Sequence, residues 1–240
     1  MKYFITAAAA VLSLAVAAAG SFMCYRIGGE WWNVAAYILL SALFFPLAAQ
    51  LHELGHKLFG AAGGMSVKLG KFAVFSPSSC TVTPKSSKNI RRGFILAACG
   101  GIAVNFIFAA AGIICICFGG GAALASFIAP SSLYLFIINA VPTGSGTNAT
   151  DMRMIIDTAE NTPEWQVLER VLTIQGMLSE GMTIEQVDEE LFFSVPQIME
   201  SEPSFIMLVS LRADYYAAKG EEENAKKWGD RLESLKNEYL

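Results

Sequence analysis

Long apolar runs separated by short polar breaks fill the first 142 residues, and the pattern then changes. Residues 4–24, 35–59, 94–118 and 122–141 each form a run long enough for a membrane-spanning helix; crossing about 30 Å of hydrocarbon takes roughly 20 helical residues. From Thr158 onward, apolar positions recur every three or four residues with charges between them, the pattern of helices with one wet face. PEWQVLERVLTIQGMLSEG places Pro163 in a first turn and Gly181 at a stop, and TIEQVDEELF places Thr183 as an N-cap. SFIMLVSLRADYYAAKG and EEENAKKWGDRLESLKNEYL then form an antiparallel pair with Gly220 at the joint. Their small-residue spacing resembles a tetratricopeptide helix pair. Between the second and third runs, VKLGKFAVF and CTVTP flank the turn-prone Ser76-Pro77-Ser78-Ser79 and predict two short strands.

The expected fold class is therefore mainly α: a polytopic membrane protein with about four spans, a short β-hairpin and a C-terminal helical, TPR-like domain. Residues 1–157 form the membrane part and 158–240 the helical part. The first run has an alternative, because Lys2 and Ala17-Ala18-Ala19 also suit a signal peptide. The apolar run continues to Met23 without a polar mature start, which favours a retained helix. The loop after the second run carries Lys68, Lys71, Lys85, Lys88, Arg91 and Arg92, whereas the first connection carries Arg26 and Gly119-Gly120-Gly121 no charge. That bias predicts a cytoplasmic charged loop, cytoplasmic termini, and Trp31 and Trp32 at the outer interface.

Composition sharpens the division. Hydrophobic residues make up 54% of the 240, too many for an ordinary soluble domain. Residues 1–142 hold only two carboxylates, Glu30 and Glu53, out of 21 in the chain. The net charge of −4, with no basic stripe, argues against a nucleic-acid partner. Cys24, Cys80, Cys99, Cys115 and Cys117 are odd in number and lack a CxxC pair, so they read as small buried thiols rather than a disulfide framework or a cysteine zinc site.

Against that background, HELGH at 52–56 stands out. His52 and His56 are the only histidines in the chain, and the second run ends in them. Ionisable groups in a span are costly and mark function by default. On a helix, positions i and i+4 share a face, so both imidazoles reach one ion. Glu53, turned about 100° from His52, stands beside the ion as a base that can take a proton from water acidified by zinc. A Glu53–Lys57 surface pair would explain the carboxylate but neither histidine.

A catalytic zinc site needs a third protein ligand. The fourth run ends on the same side of the membrane as the motif, and Asp151 is the first carboxylate beyond it, after a Gly- and Thr-rich loop. Asp151 also suits the first turn of a helix over MRMIIDTAE, where the dipole favours an acid. Both readings stay open on spacing alone.

HELGH in a span, Asn139-Ala140-Val141-Pro142 ending a later one, Asp151 beyond it, and Gly101-Ile102-Ala103-Val104-Asn105 in the third run together resemble the site-2 protease family of intramembrane zinc metalloproteases. The resemblance covers about residues 35–157, with the motifs in family order, and leaves out the helical domain. It implies His52, His56 and Asp151 as ligands of one zinc ion, Glu53 as general base, and Asn139 as a group holding the substrate backbone or the developing oxyanion. It implies a membrane-associated hairpin around Phe72 and Val82 that holds an extended substrate as an added strand. The interval from Pro142 to Asp151 is longer than usual in the family, and Met152 stands where glycine is usual; Asp157 is the second candidate ligand.

The implied activity is hydrolysis of a membrane-anchored protein or peptide within or near its transmembrane segment, in regulated intramembrane proteolysis or in signal-peptide clearance. A metalloprotease with a glutamate as third ligand would need one near a later span, and residues 54–159 contain none. A non-catalytic scaffold or metal-binding protein, working through a cytosolic partner of the helical domain, is the alternative. Four spans without an internal repeat fit a transporter poorly.

Overall fold

The computed structural model describes residues 2–70, 80–119 and 122–239. Among the described residues, four helical segments are long and apolar enough to cross a membrane: Tyr3–Gly28, Trp31–Ala62, Ile90–Phe118 and Ala122–Ala140. Helix α1 (Lys2–Gly28) runs unbroken past Ala17, and α2 (Trp31–Ala62) carries Pro46 inside it. Helix α3 (Ile90–Phe118) packs against α2 along its length. The contact centres on Gly55 and Gly100, where a methyl group on either would collide with the other's carbonyl. Small residues that let backbones touch are the usual device for joining helices in lipid, where apolar burial alone gives no preference for protein over solvent.

The fourth span is not one helix. It consists of α4 (Ala122–Ala125), a 3₁₀ turn at Ser126–Ile128 and α5 (Ala129–Ala140). Pro130 explains the break, since its ring excludes the carbonyl four residues back and its nitrogen has no proton to give. Ser126, in that turn, donates to the Ala123 carbonyl at 2.6 Å.

Strands β1 (Met65–Leu69) and β2 (Cys80–Pro84) form one antiparallel ladder, with Val67 opposite Val82. The first strand starts at Met65, two residues before the expected VKLGKFAVF, and ends at Leu69; residues 71–79, including Phe72, lie outside the described residues. Met65, Val67 and Val82 pack with Ile90 and Phe94 of α3 and with Trp165 and Leu172 of α7 (Pro163–Ser179). The hairpin is therefore enclosed between a span and the helical domain. The far end of α7 is tied down as well: Ser86 and Ser87 donate to the Glu180 carboxylate at 2.7 and 2.8 Å, which holds that carboxyl below the usual range.

Helix α6 (Asp151–Glu160) joins the two parts, so the expected boundary at 157/158 falls inside a helix. Thr162 caps α7, accepting from the Trp165 amide, and Pro163 opens it as expected. TIEQVDEELF is not one helix. Thr183 and Gln186 form a capping box, but only for a 3₁₀ turn at Ile184–Gln186, followed by the single turn α8 (Glu190–Phe193). Val187 turns extended and is buried with Ile174, Phe192 and Tyr215, while Asp188 Oδ1 accepts from the Glu190 amide and restarts the chain. Helices α9 (Pro203–Ala218) and α10 (Glu222–Tyr239) form the expected hairpin about Gly220, with Ile206 and Val209 of the first against Leu232 and Leu235 of the second. One such hairpin does not establish a tetratricopeptide array, which needs stacked repeats.

Candidate metal centre

HELGH lies in the C-terminal half of α2, where the helix turns its ionisable side inward. His52, Glu53 and His56 are buried, whereas Leu54, Lys57 and Leu58 are exposed. Glu53 is thus a buried carboxylate, whereas Lys57, four residues on, is exposed. The two Nε2 atoms stand 3.0 Å apart. A Glu53 carboxylate oxygen lies within 4.8 Å of a ring nitrogen of each histidine.

The wall behind the histidines is α3. Nδ1 of His56 lies 2.8 Å from the Ala97 carbonyl, and Nδ1 of His52 lies 2.8 Å from Nδ2 of Asn105. Between them, one turn from each, is Gly101. A methyl group there would stand 2.6 Å from Nε2 of both histidines, well inside van der Waals contact. The Gly-x-x-x-Asn spacing thus has a local physical meaning: glycine admits the rings and asparagine holds one of them.

Asp151 comes from the other side, as the first residue of α6. Its Oδ2 is 3.1 Å from Nε2 of His52, and its Oδ1 is 3.5 Å from Nε2 of His56. Thr150 directly precedes it and organises the approach. The Thr150 hydroxyl donates to the Val141 carbonyl at 2.8 Å and accepts from the Thr143 amide at 3.1 Å and from the Arg153 amide as N-cap. The Thr150 amide donates back to the Thr143 carbonyl at 3.0 Å. Residues 144–149 therefore bulge from a stapled base, and the long interval after Pro142 is absorbed without carrying Asp151 away from the span. At the far end of α6, Nη2 of Arg91 donates to the carbonyls of Thr158 and Ala159 at 2.6 and 2.7 Å.

The other expected residues stand differently. Asp157 is paired with Arg153 at 2.7 Å and lies about 9 Å further along α6, so Asp151 is the carboxylate that meets the histidines. Asn139 donates to the Leu135 carbonyl of its own helix at 3.0 Å. Among the described residues, no hydrogen bond joins it to the histidines or Asp151. The Val82 side chain is committed to the apolar cluster under the hairpin, which leaves its backbone as the part that can pair. Cys80 opens β2 beside the motif, where its thiol donates to the Glu53 carboxylate. Burial and the Glu53 charge push that thiol well above its usual range, so it stays protonated as a donor. The sequence carries no mark of this contact.

The donor set could hold a divalent metal ion. Two imidazole nitrogens stand 3.0 Å apart, and each faces one oxygen of the Asp151 carboxylate, at 3.1 and 3.5 Å. Donors about 2.0–2.1 Å from a tetrahedral centre lie about 3.3 Å from one another. The Ala97 carbonyl can only accept, so His56 carries its proton on Nδ1 and turns a bare Nε2 toward Asp151. Oδ2 of Asp151 is buried without a hydrogen-bond donor, a state that a cation relieves. An open cleft of about 450 Å³ between Asn89, Arg91, Gln166 and Arg170 includes none of these groups. Comparison with family models, with curated proteins and with solved structures finds no match.

Proposed function

We propose that this chain is a membrane-embedded zinc metalloendopeptidase that cuts an anchored protein or peptide within or near its transmembrane segment. The observation that carries the reading is the meeting of His52, His56 and Asp151, with Glu53 alongside, in a bundle of helices apolar enough to cross a membrane. His52, His56 and Asp151 hold the ion. Zinc supplies Lewis acidity there, bringing a water's pKa to about 7 and polarising the scissile carbonyl. Glu53 takes the proton from the attacking water and returns it to the departing amide nitrogen. The Cys80 thiol, donating to Glu53, orients that carboxylate from the hairpin side.

A helical peptide bond is shielded, so the substrate has to be extended before attack. The hairpin at Met65–Leu69 and Cys80–Pro84 meets Glu53 at Cys80 and offers a backbone edge for that purpose. Val82 serves through its backbone, and Asn139 has a second amide proton for a substrate carbonyl. The site lies about 32 Å along α2 from Trp31, near one membrane face rather than the midplane. The charge bias makes that face cytoplasmic, with both termini on the same side. Regulated proteolysis of a membrane-tethered regulator and clearance of signal-peptide remnants both supply substrates of this class.

Glu53→Gln in detergent-purified full-length protein tests the reading. The variant should keep about one zinc per chain and lose roughly 10²–10⁴-fold in cleavage of a transmembrane reporter peptide. Unchanged cleavage, or wild-type protein that binds no zinc after metal-replete purification, would sink it and leave a scaffold acting through the helical domain.

A further inference from the structure

Ala97, Gly101 and Asn105 follow one another at four-residue spacing along α3, and the first and last anchor one histidine each. The two anchors differ in kind. The Ala97 carbonyl is an acceptor and leaves His56 no choice of tautomer. The Asn105 amide has an acceptor at one end and a donor at the other, similar in size, so either can face His52. Here the nitrogen faces the ring, 2.8 Å from Nδ1. Nδ1 of His52 is then an acceptor, and its proton sits on Nε2, 3.1 Å from the Asp151 carboxylate. That arrangement suits a site held together by its own hydrogen bonds. It does not suit a ligand, because a protonated Nε2 has no lone pair to offer.

The rest of the amide leaves the choice to His52. Asn105 is fully buried, and its oxygen has no protein partner among the described residues. Turning the amide breaks no other hydrogen bond.

We propose that Asn105 is a positioning residue that turns its amide oxygen to Nδ1 of His52 when the site takes up its metal, fixing the tautomer that leaves Nε2 free. The inference rests on the metal reading above and adds a step to it. His52 moves from an Nε2–H to an Nδ1–H tautomer, with no net gain or loss of protons. The hydrogen bond between the two Nε2 atoms is given up, and Oδ2 of Asp151, which accepts none, gains the cation. His56 is already in the ligating tautomer and does not change. The two histidines, equivalent in the motif, are therefore inequivalent in loading.

Zinc affinity by chelator competition, in detergent-purified full-length protein, tests the proposal with Asn105→Leu and Asn105→Asp. Leucine keeps the volume and removes the acceptor; aspartate offers oxygen at both ends. The expected result is a loss of about 10–100-fold for Asn105→Leu, the usual cost of removing the partner of a ligating histidine, with affinity regained in Asn105→Asp. Equal affinity in wild type and Asn105→Leu would overturn the proposal, as would Asn105→Asp binding no better than Asn105→Leu. A second readout does not depend on either variant folding well. With cobalt(II) in place of zinc, the wild type should show two solvent-exchangeable imidazole N–H resonances, one from each of its only two histidines. A single such resonance would mean that Nδ1 of His52 carries no proton, and the proposal would fail. Wild type that binds neither ion would instead reject the metal reading itself.

Discussion

The two halves of the candidate metal centre are built by opposite means. His52 and His56 sit on α2, pressed against α3 through the Gly55–Gly100 contact, and each ring is anchored to α3. That half is two long helices with little room to move. Asp151 rides on α6, a helix of 10 residues reached through a loop, and is placed by the Thr143–Thr150 staple and by Arg91 at the far end. The first half is fixed by close packing, where one extra methyl group is felt at once. The second is fixed by a few hydrogen bonds, each worth about 0.5–1.5 kcal/mol. The histidine half should thus fail abruptly and the aspartate half by degrees.

Gly101→Ala should give the largest effect. The added methyl would stand 2.6 Å from Nε2 of both histidines, with the α3 backbone behind it. Overpacking of this kind costs about 1–3 kcal/mol, and here the groups that give way are the donors themselves. Zinc affinity by chelator competition should fall about 10–100-fold, with helicity by circular dichroism unchanged. Gly101→Ala binding zinc like wild type would show that α3 yields easily, and the contrast between the halves would lose its basis.

Thr150→Val keeps the shape and removes the hydroxyl that joins Val141, Thr143 and Arg153. Loss of an N-cap costs about 0.5–2 kcal/mol. Zinc affinity should fall about 2–30-fold, less than for Gly101→Ala. Arg91→Gln removes two hydrogen bonds to partly solvated carbonyls and should cost less again, under about 10-fold. A loss in Thr150→Val as deep as in Gly101→Ala would mean that the loop is as rigidly specified as the helices.

The same contrast explains what was legible in the sequence. The spans and HELGH could be read because apolar length and a four-residue spacing are local signals. Gly101 and Asn105 stand out only through a family resemblance, since a lone glycine and asparagine in an apolar run do not announce which ring they touch. The Ala97 carbonyl could not be found at all, because a backbone acceptor leaves no trace in residue identity. The spacing of Asp151 looked like a departure until Thr143 and Thr150 closed the base of its loop. TIEQVDEELF failed as a helix because burial of Val187 and the Asp188 turn overrode a good local pattern.

The smallest expected effect comes from the helical domain, at the place where it meets the aspartate half. Glu202 is buried at the start of α9, and its carboxylate abuts Gly146 in the stapled loop. Burial, together with the Glu164 and Asp157 charges, raises its pKa above the ordinary glutamate value. An acid whose pKa is higher folded than unfolded stabilises the fold when protonated. Its contribution is complete below the ordinary value of about 4.3 and is lost as pH rises through the folded value. Glu202→Gln, neutral at every pH, should keep that contribution and melt slightly above wild type at pH 7.5. The gap should close as the buffer is taken toward pH 4. Gly101→Ala should show no such pH-dependent gap from wild type, because its clash is steric. A Glu202→Gln melting curve that tracks wild type at both pH values would show that the Glu202 carboxylate finds water or a cation there. The helical domain would then touch the Asp151 loop without an electrostatic cost that pH could relieve.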